Sequence, residues 1–231
     1  MLAGKQIQML MRDMLFITWD VRPEALRKLV PERLELDTKT DSAGREVAFV
    51  SAVCFRVPEV RSSVLPLPRL SFEQVNYRAY VRADDVPAVY FFDMKVNSRM
   101  ITAMTSFLKV PVSYEDILIE SVPFESEIRY TVNSAGLRAE AIVDGQPNAI
   151  LNWKVAPEFI TQRLVGYAAA GDNIFRIEVE HPVLDAIPAQ VENVVAPRLE
   201  ELFESGESER PHSALYVREA LFETSPPKRA W

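Results

Sequence analysis

Along the chain the spacing of apolar residues changes several times, and each change marks an element. From 87 to 97, Ala88, Tyr90, Phe92, Met94 and Val96 alternate with Val89, Phe91, Asp93, Lys95 and Asn97, the two-residue period of a strand. At Ser98 the period becomes helical. Met100, Ile101, Met104, Phe107 and Leu108 form one apolar stripe that stops before Pro111, and Ser98 is placed to cap it, so a helix is predicted over 98–109. Upstream, over 72–82, Val75, Tyr77, Ala79 and Val81 share one face, while Gln74, Asn76, Arg78, Tyr80 and Arg82 share the other. The Asp84-Asp85 turn between these two strands predicts an antiparallel hairpin. Over 47–57 both faces are apolar, with Cys54 among them, the pattern of a strand buried on both sides.

Weaker patterns fill in the rest. Strands are predicted at 15–19, 34–36, 117–119, 124–132, 137–143 and 174–181, with a last one around 215–222. Pro23 opens a short helix that Pro31 ends, a second helical piece runs over 157–164, and a third, broken near Pro197, over 193–203. Residues 167–171 read as a link and 204–210 as a polar segment. The proline-punctuated stretch 58–70 is apolar at Val64, Leu65, Leu67 and Leu70, as a lid would be, or a loop packed over one end of the core. No internal repeat, low-complexity tract or clean boundary divides residues 1–231, so one domain is expected.

Composition narrows the function classes. At 48% hydrophobic and 26% charged, 231 residues can bury a substantial core. The net charge of −7, without a basic block, argues against a nucleic-acid partner. No uncharged run exceeds nine residues, against the ~20 a spanning helix needs, so neither a membrane span nor export is expected. A single cysteine rules out an intrachain disulfide and suits a cytoplasmic location.

Specific chemistry is sparse. His181 and His212 lack Cys, Asp or Glu at metal-ligand spacing, so no metal is expected. No Gly-x-Ser-x-Gly elbow, Walker loop or dinucleotide motif occurs among the 7 glycines, and no cofactor is expected either. Apolar neighbours make Cys54 an unreactive thiol. His181, just before Pro182, reads as a turn-capping or packed histidine.

Several segments, in order, carry a resemblance. Trp19-Asp-Val-Arg-Pro-Glu-Ala-Leu running on to Leu34, Asn76-Tyr-Arg-Ala-Tyr-Val81, Phe91-Phe-Asp-Met94 with Ser98-Arg99, Val110-Pro111, Phe159 with Arg163, and His181-Pro182 together resemble the YqjF-like (DUF2071) family. That family is similar in architecture to acetoacetate decarboxylase. The resemblance implies an α+β fold, a mainly antiparallel closed β-barrel with peripheral helices around an internal cavity. Strands 47–57, 72–82, 87–97, 124–132, 137–143 and 174–181 are then expected in one barrel-like sheet, with helix 98–109 packed outside.

The chain departs from both patterns. Gln74 stands where many family members carry a carboxylate, and Leu184 near a position often aromatic. Where the decarboxylase has its Schiff-base lysine this chain has Val112, and Thr105 and Ser106 replace its Arg-Glu pair. An imine needs a neutral amine beside the substrate, which valine cannot supply. A relocated lysine, Lys95 or Lys109, is one alternative, although Asp93 on the same side as Lys95 favours the ammonium form.

The expectation is therefore a binding protein for a small apolar or lipid-like anionic ligand. Asn76, Arg78, Tyr80, Arg99 and His181 are the candidate site residues, with Arg78 or Arg99 anchoring the anion. Tyr77, Tyr80, Tyr90 and Phe92 are the expected aromatic walls. Two placements of Arg78 stay open: at a solvated surface, or inside a closed barrel, where it requires a partner such as Asp93 or a ligand. An enzyme with a relocated lysine, and a structural or protein-interaction role, are the alternatives.

Overall fold

A computed structural model describes residues 7–63, 70–107, 110–144, 155–203 and 210–231. Strand β1 (Ile7–Val21) leads into the short helix α1 (Pro23–Arg27), whose proline sits where a missing N–H costs nothing. After β2 (Glu35–Leu36) and β3 (Lys39–Thr40) comes β4 (Glu46–Ser62), which passes Pro58 and the predicted end at 57. Its pairing with β1 slips between Arg56 and Glu59, and an irregularity of this kind is where a strand tolerates proline. Strands β5 (Phe72–Ala83) and β6 (Val86–Val96) form the predicted hairpin. Asp84 and Asp85 take φ of 49° and 63°, as a two-residue hairpin turn of the I′ type demands.

Helix α2 (Arg99–Phe107) follows, with Leu108 and Lys109 outside the described residues. Next come β7 (Val112–Tyr114), β8 (Leu118–Phe124), β9 (Glu127–Asn133) and β10 (Arg138–Val143). The chain then forms α3 (Pro157–Thr161), β11 (Val165–Ala170), β12 (Asn173–Glu180), β13 (Ile187–Pro188) and β14 (Gln190–Val195). It ends with α4 (Pro197–Leu202), β15 (Ser213–Thr224) and β16 (Lys228–Arg229). Among the described residues no helix is long and apolar enough to cross a membrane.

Seven strands close a ring in the order β1, β4, β5, β6, β11, β12, β15 and back to β1. Closure comes from Val179 opposite Thr224 and Glu180 opposite Glu223. Within the ring every pairing is antiparallel except β6 with β11. The fold class is thus α+β, a mainly antiparallel closed sheet with helices at its periphery. Closing the sheet removes the unpaired edges that an open one would present.

Three expectations need correction. Segments 124–132 and 137–143 do not join the ring; they belong to a separate four-stranded sheet ordered β14, β10, β9, β8. Alternation reports local hairpins but not the sheet a hairpin joins. Residues 167–171 are mostly strand β11 rather than a link, hidden because Gly166 and Ala168 to Ala170 carry little strand propensity. Residues 193–195 complete strand β14, and the helix begins only at Pro197. Of the proline-rich stretch read as a lid or loop, 64–69 lie outside the described residues, as do 204–209 of the polar segment.

The ring has two apolar faces. Outward, Leu15, Ile17, Trp19, Ala52, Cys54, Val75 and Tyr77 pack with Ile119, Tyr130 and Val132 of the second sheet in one continuous core. Inward, Met14, Phe16, Val53, Phe55, Phe72 and Val89 form the other.

Candidate functional site

The inward face does not fill the ring. It leaves a pocket of about 270 Å3. β1 contributes Met9, Met11, Met14 and Phe16 to its wall, and β6 contributes Val89, Phe91 and Met94. Both sets change parity partway, and a backbone irregularity explains each. At Asp13 the chain enters the left-handed region (φ 50°) and the register against β4 shifts. The Asp13 carboxylate holds this kink by accepting from Arg56 Nε at 3.0 Å and from the Tyr216 hydroxyl at 2.7 Å. On β6, Tyr77 lies opposite Asp93 but Arg78 opposite Phe91, so Phe92 is the extra residue of a bulge.

Phe55, Phe72 and Phe222 complete the aromatic wall, and α2 closes part of it with Ile101, Met104 and Thr105 at i, i+3 and i+4. The helix, at the periphery of the ring, therefore lends its apolar stripe to the pocket wall.

Gln74, Asn76 and Arg78 of β5 also line the pocket, so the polar side of the 72–82 strand faces inward. Gln74 Nε2 donates to Asn76 Oδ1 at 2.5 Å. Arg78 Nη2 donates to the Ile160 carbonyl at 2.7 Å, and the guanidinium carbon lies 5.3 Å from the centre of the Phe16 ring and 5.4 Å from that of Tyr80. Among the described residues Arg78 has no carboxylate partner, and its Nε is buried without a hydrogen bond. Asp93, the expected partner, is taken by Arg198 at 2.7 Å and Lys95 at 3.3 Å.

His181 lines the same pocket, 4.6 Å from the Phe222 ring. Its Nδ1 lies 2.8 Å from the Pro182 carbonyl, which can only accept, so Nδ1 carries the proton and Nε2 is left with a lone pair in the neutral ring. Burial lowers the His181 pKa below its ordinary value of 6.5; the Pro182 carbonyl works against this and the Arg78 charge adds to it.

The other expected site residues lie elsewhere. Tyr80 is fully buried behind the wall, stacked 5.1 Å from Phe159, with its hydroxyl 2.7 Å from Ser51 Oγ, itself 2.7 Å from Thr18 Oγ1. It supports Arg78 from behind, 3.4 Å from Nη2. Arg99 is exposed at the start of α2, over the Tyr114 ring at 4.6 Å. Tyr77, Tyr90 and Phe92 belong to the outward core. Strict alternation through 88–96 put Tyr90 and Phe92 with Met94, but the bulge at Phe92 separates them.

Lys95 points away from the pocket and donates to Ser113 Oγ at 2.9 Å, whereas Val112 and Thr105 do line it. Ser106 is exposed and donates to the Thr102 carbonyl, and Lys109 lies outside the described residues. Cys54 lies in the outward core, where burial pushes its thiol pKa up. Among the described lining residues there is no Lys, Asp or Glu.

Arg163 is a second guanidinium at the pocket, and it has a carboxylate partner. It donates to Asp37 Oδ2 at 2.7 Å and to the Phe159 carbonyl at 2.8 Å. Its pKa is lowered by burial, against the pull of Asp37. No periodicity singles out Arg163, which follows the short helix α3. The signal for the phenylalanine and methionine walls was present, but it requires knowing where parity breaks.

Known structures share this architecture. The acetoacetate decarboxylase of Legionella pneumophila superposes with a TM-score of 0.65 at 11% identity, covering 99% of this chain and 88% of that one. An acetoacetate decarboxylase-like enzyme from Sphingomonas wittichii RW1 gives 0.62 at 11% identity over 99% and 94%. The enduracididine biosynthesis enzyme MppR complexed with pyruvate gives 0.60 at 11% identity over 99% and 91%. At such identities the likeness shows the fold alone. In sequence, the uncharacterized protein YqjF of Bacillus subtilis (strain 168) is 32% identical over 111 residues, which span 47% of this chain and 44% of YqjF. The profile of DUF2071, a family of uncharacterized conserved proteins, matches residues 8–220, and the chain belongs to that family.

Proposed function

We propose that the pocket binds a small, largely apolar molecule with an anionic group, and that Arg78 anchors the anion. One observation carries this reading: Arg78 faces into the ring without a carboxylate partner and with a buried, unbonded Nε. Arginine stays charged at any ordinary pH, and Arg78, half-buried without a counter-charge, carries part of the desolvation cost of a buried charge. The Ile160 carbonyl and the faces of Phe16 and Tyr80 offset part of that cost, but only an anion supplies the missing charge.

Pocket size and wall composition narrow the class. A pocket of about 270 Å3 is of a size for a small ligand such as a medium-chain carboxylate. The wall of methionine and phenylalanine suits a flexible apolar tail. MppR, which shares the fold, is known in complex with pyruvate, itself a small carboxylate.

Imine chemistry finds no support in the wall, which has Val112 and no described lysine. Incubation with pyruvate or acetoacetate and borohydride is expected to leave the intact mass unchanged; an adduct on Lys95 or Lys109 would establish an enzyme with a relocated lysine instead. Binding itself is tested by calorimetric titration with octanoate and native mass spectrometry. The Arg78→Met variant is expected to bind about 10- to 150-fold more weakly, matching the ~1.5–3 kcal/mol of a hydrogen bond to a charged group. Equal binding by both proteins, or none by either, removes this reading.

A further inference from the structure

We infer that Gly166 is a specificity-determining position: having no side chain, it lets the Phe91 ring lie back against β11 and keeps open the space beside Arg78. The inference rests on the pocket binding an apolar anion. Gly166 pairs with Val89 across the parallel β6–β11 junction, and both Gly166 and Phe91 line the pocket. A Cβ placed on Gly166 would lie 2.6 Å from Phe91 Cε2 and 3.4 Å from Cδ2, with no backbone atom among its nearest neighbours. Carbon atoms sit comfortably at about 3.5–4.0 Å, so the ring edge would have to retreat by roughly 1 Å. The backbone of Gly166 does not adopt the left-handed conformation, so it is space rather than φ that favours glycine here.

The direction of that retreat gives the position its meaning. Phe91 is the cross-strand neighbour of Arg78, so a ring displaced from β11 moves into the pocket on the side of the guanidinium. Atoms attached next to the ligand's anionic group would occupy that space. A straight chain passes a narrowed neck, whereas a branch on the carbon beside the carboxylate does not.

Octanoate and 2-propylpentanoate make the test, because they are isomers that differ only in that branch. Their dissociation constants would be measured by calorimetry for the wild type, Gly166→Ala and Phe91→Leu. In Gly166→Ala the preference for octanoate over its isomer is expected to rise about tenfold, the scale of a methyl forced into a packed site. In Phe91→Leu, which removes the ring, the preference is expected to fall about threefold or more, so the inference stays testable even where Gly166→Ala does not fold. An unchanged preference in Phe91→Leu, or in a folded Gly166→Ala, overturns the role of Gly166 alone. Failure of the wild type to bind either acid overturns it together with the reading of the pocket.

Discussion

The two faces of the ring are built from the same strands and are both largely apolar in sequence, yet one is filled and the other is not. Outward, aliphatic and aromatic side chains meet the second sheet, and the charged groups beside that core are paired: Asp93 with Arg198 and Lys95, and Asp13 with Arg56. Inward, methionine and phenylalanine surround a pocket, and Arg78 has no counter-charge among the described residues. Five buried side-chain atoms lack a partner among the described residues, and Arg78 Nε is the one that belongs to a charged group. Apolarity therefore does not distinguish a structural face from a candidate binding face here. The missing counter-charge of Arg78 does, since Arg163 at the same pocket is paired with Asp37.

The sharpest way to break this contrast is to truncate neighbouring residues of β1 that face opposite ways. Ile17 lies in the outward core and Met14 on the pocket wall, and both are buried. Ile17→Ala is expected to cost about 4 kcal/mol, since a filled core leaves a new cavity, and Met14→Ala about 2, since it enlarges a space that already exists. Chemical denaturation measures both, and equal costs would mean that the inward face is packed as tightly as the outward one.

Charge removal should follow with opposite signs on the two faces. Asp93→Asn strips Arg198 and Lys95 of their shared partner and is expected to lower stability by roughly 1–3 kcal/mol, discounted because both cations are partly exposed. It should leave octanoate binding unchanged. Arg78→Met is expected to leave the stability of the ligand-free protein unchanged or raise it, while weakening binding about 10- to 150-fold. Destabilisation by Arg78→Met would place Arg78 among the structural charges.

The smallest effect concerns pH. The pKa of His181 is lowered in the folded protein, so below its ordinary 6.5 the unfolded chain binds more protons than the folded one. Its contribution is fully present above 6.5 and is lost as pH falls from there toward the folded value. Arg78 is the charged group acting on this ring and Phe222 packs on it. Across pH 7.5 to 5.5, wild-type stability is expected to fall more steeply than that of His181→Gln; parallel curves would mean that burial does not perturb the ring.

What was legible in the sequence follows the same physics. The hairpin of β5 and β6 was legible because alternation and a two-residue turn are local, and Gln74, Asn76 and Arg78 were correctly grouped because β5 keeps one parity along that stretch. The aromatic wall was misassigned because a bulge reverses the faces without changing composition: Phe92 on β6 separates Tyr90, which faces out, from Met94, which faces in. Asp13 does the same on β1 through a backbone angle that no spacing reveals. Membership of the second sheet depends on packing between distant segments, and β11 was masked by its glycine and alanines.

The central claim is that Arg78 is an inward cation awaiting an anion. A crystal structure of the protein grown with octanoate tests it most directly. The expected result is a carboxylate oxygen about 2.7–2.9 Å from a guanidinium nitrogen of Arg78 that faces the pocket, the distance of a charge-assisted hydrogen bond, with the alkyl chain lying among Met14, Phe55 and Phe72. An empty pocket in which Arg78 meets a carboxylate of the protein itself would contradict it.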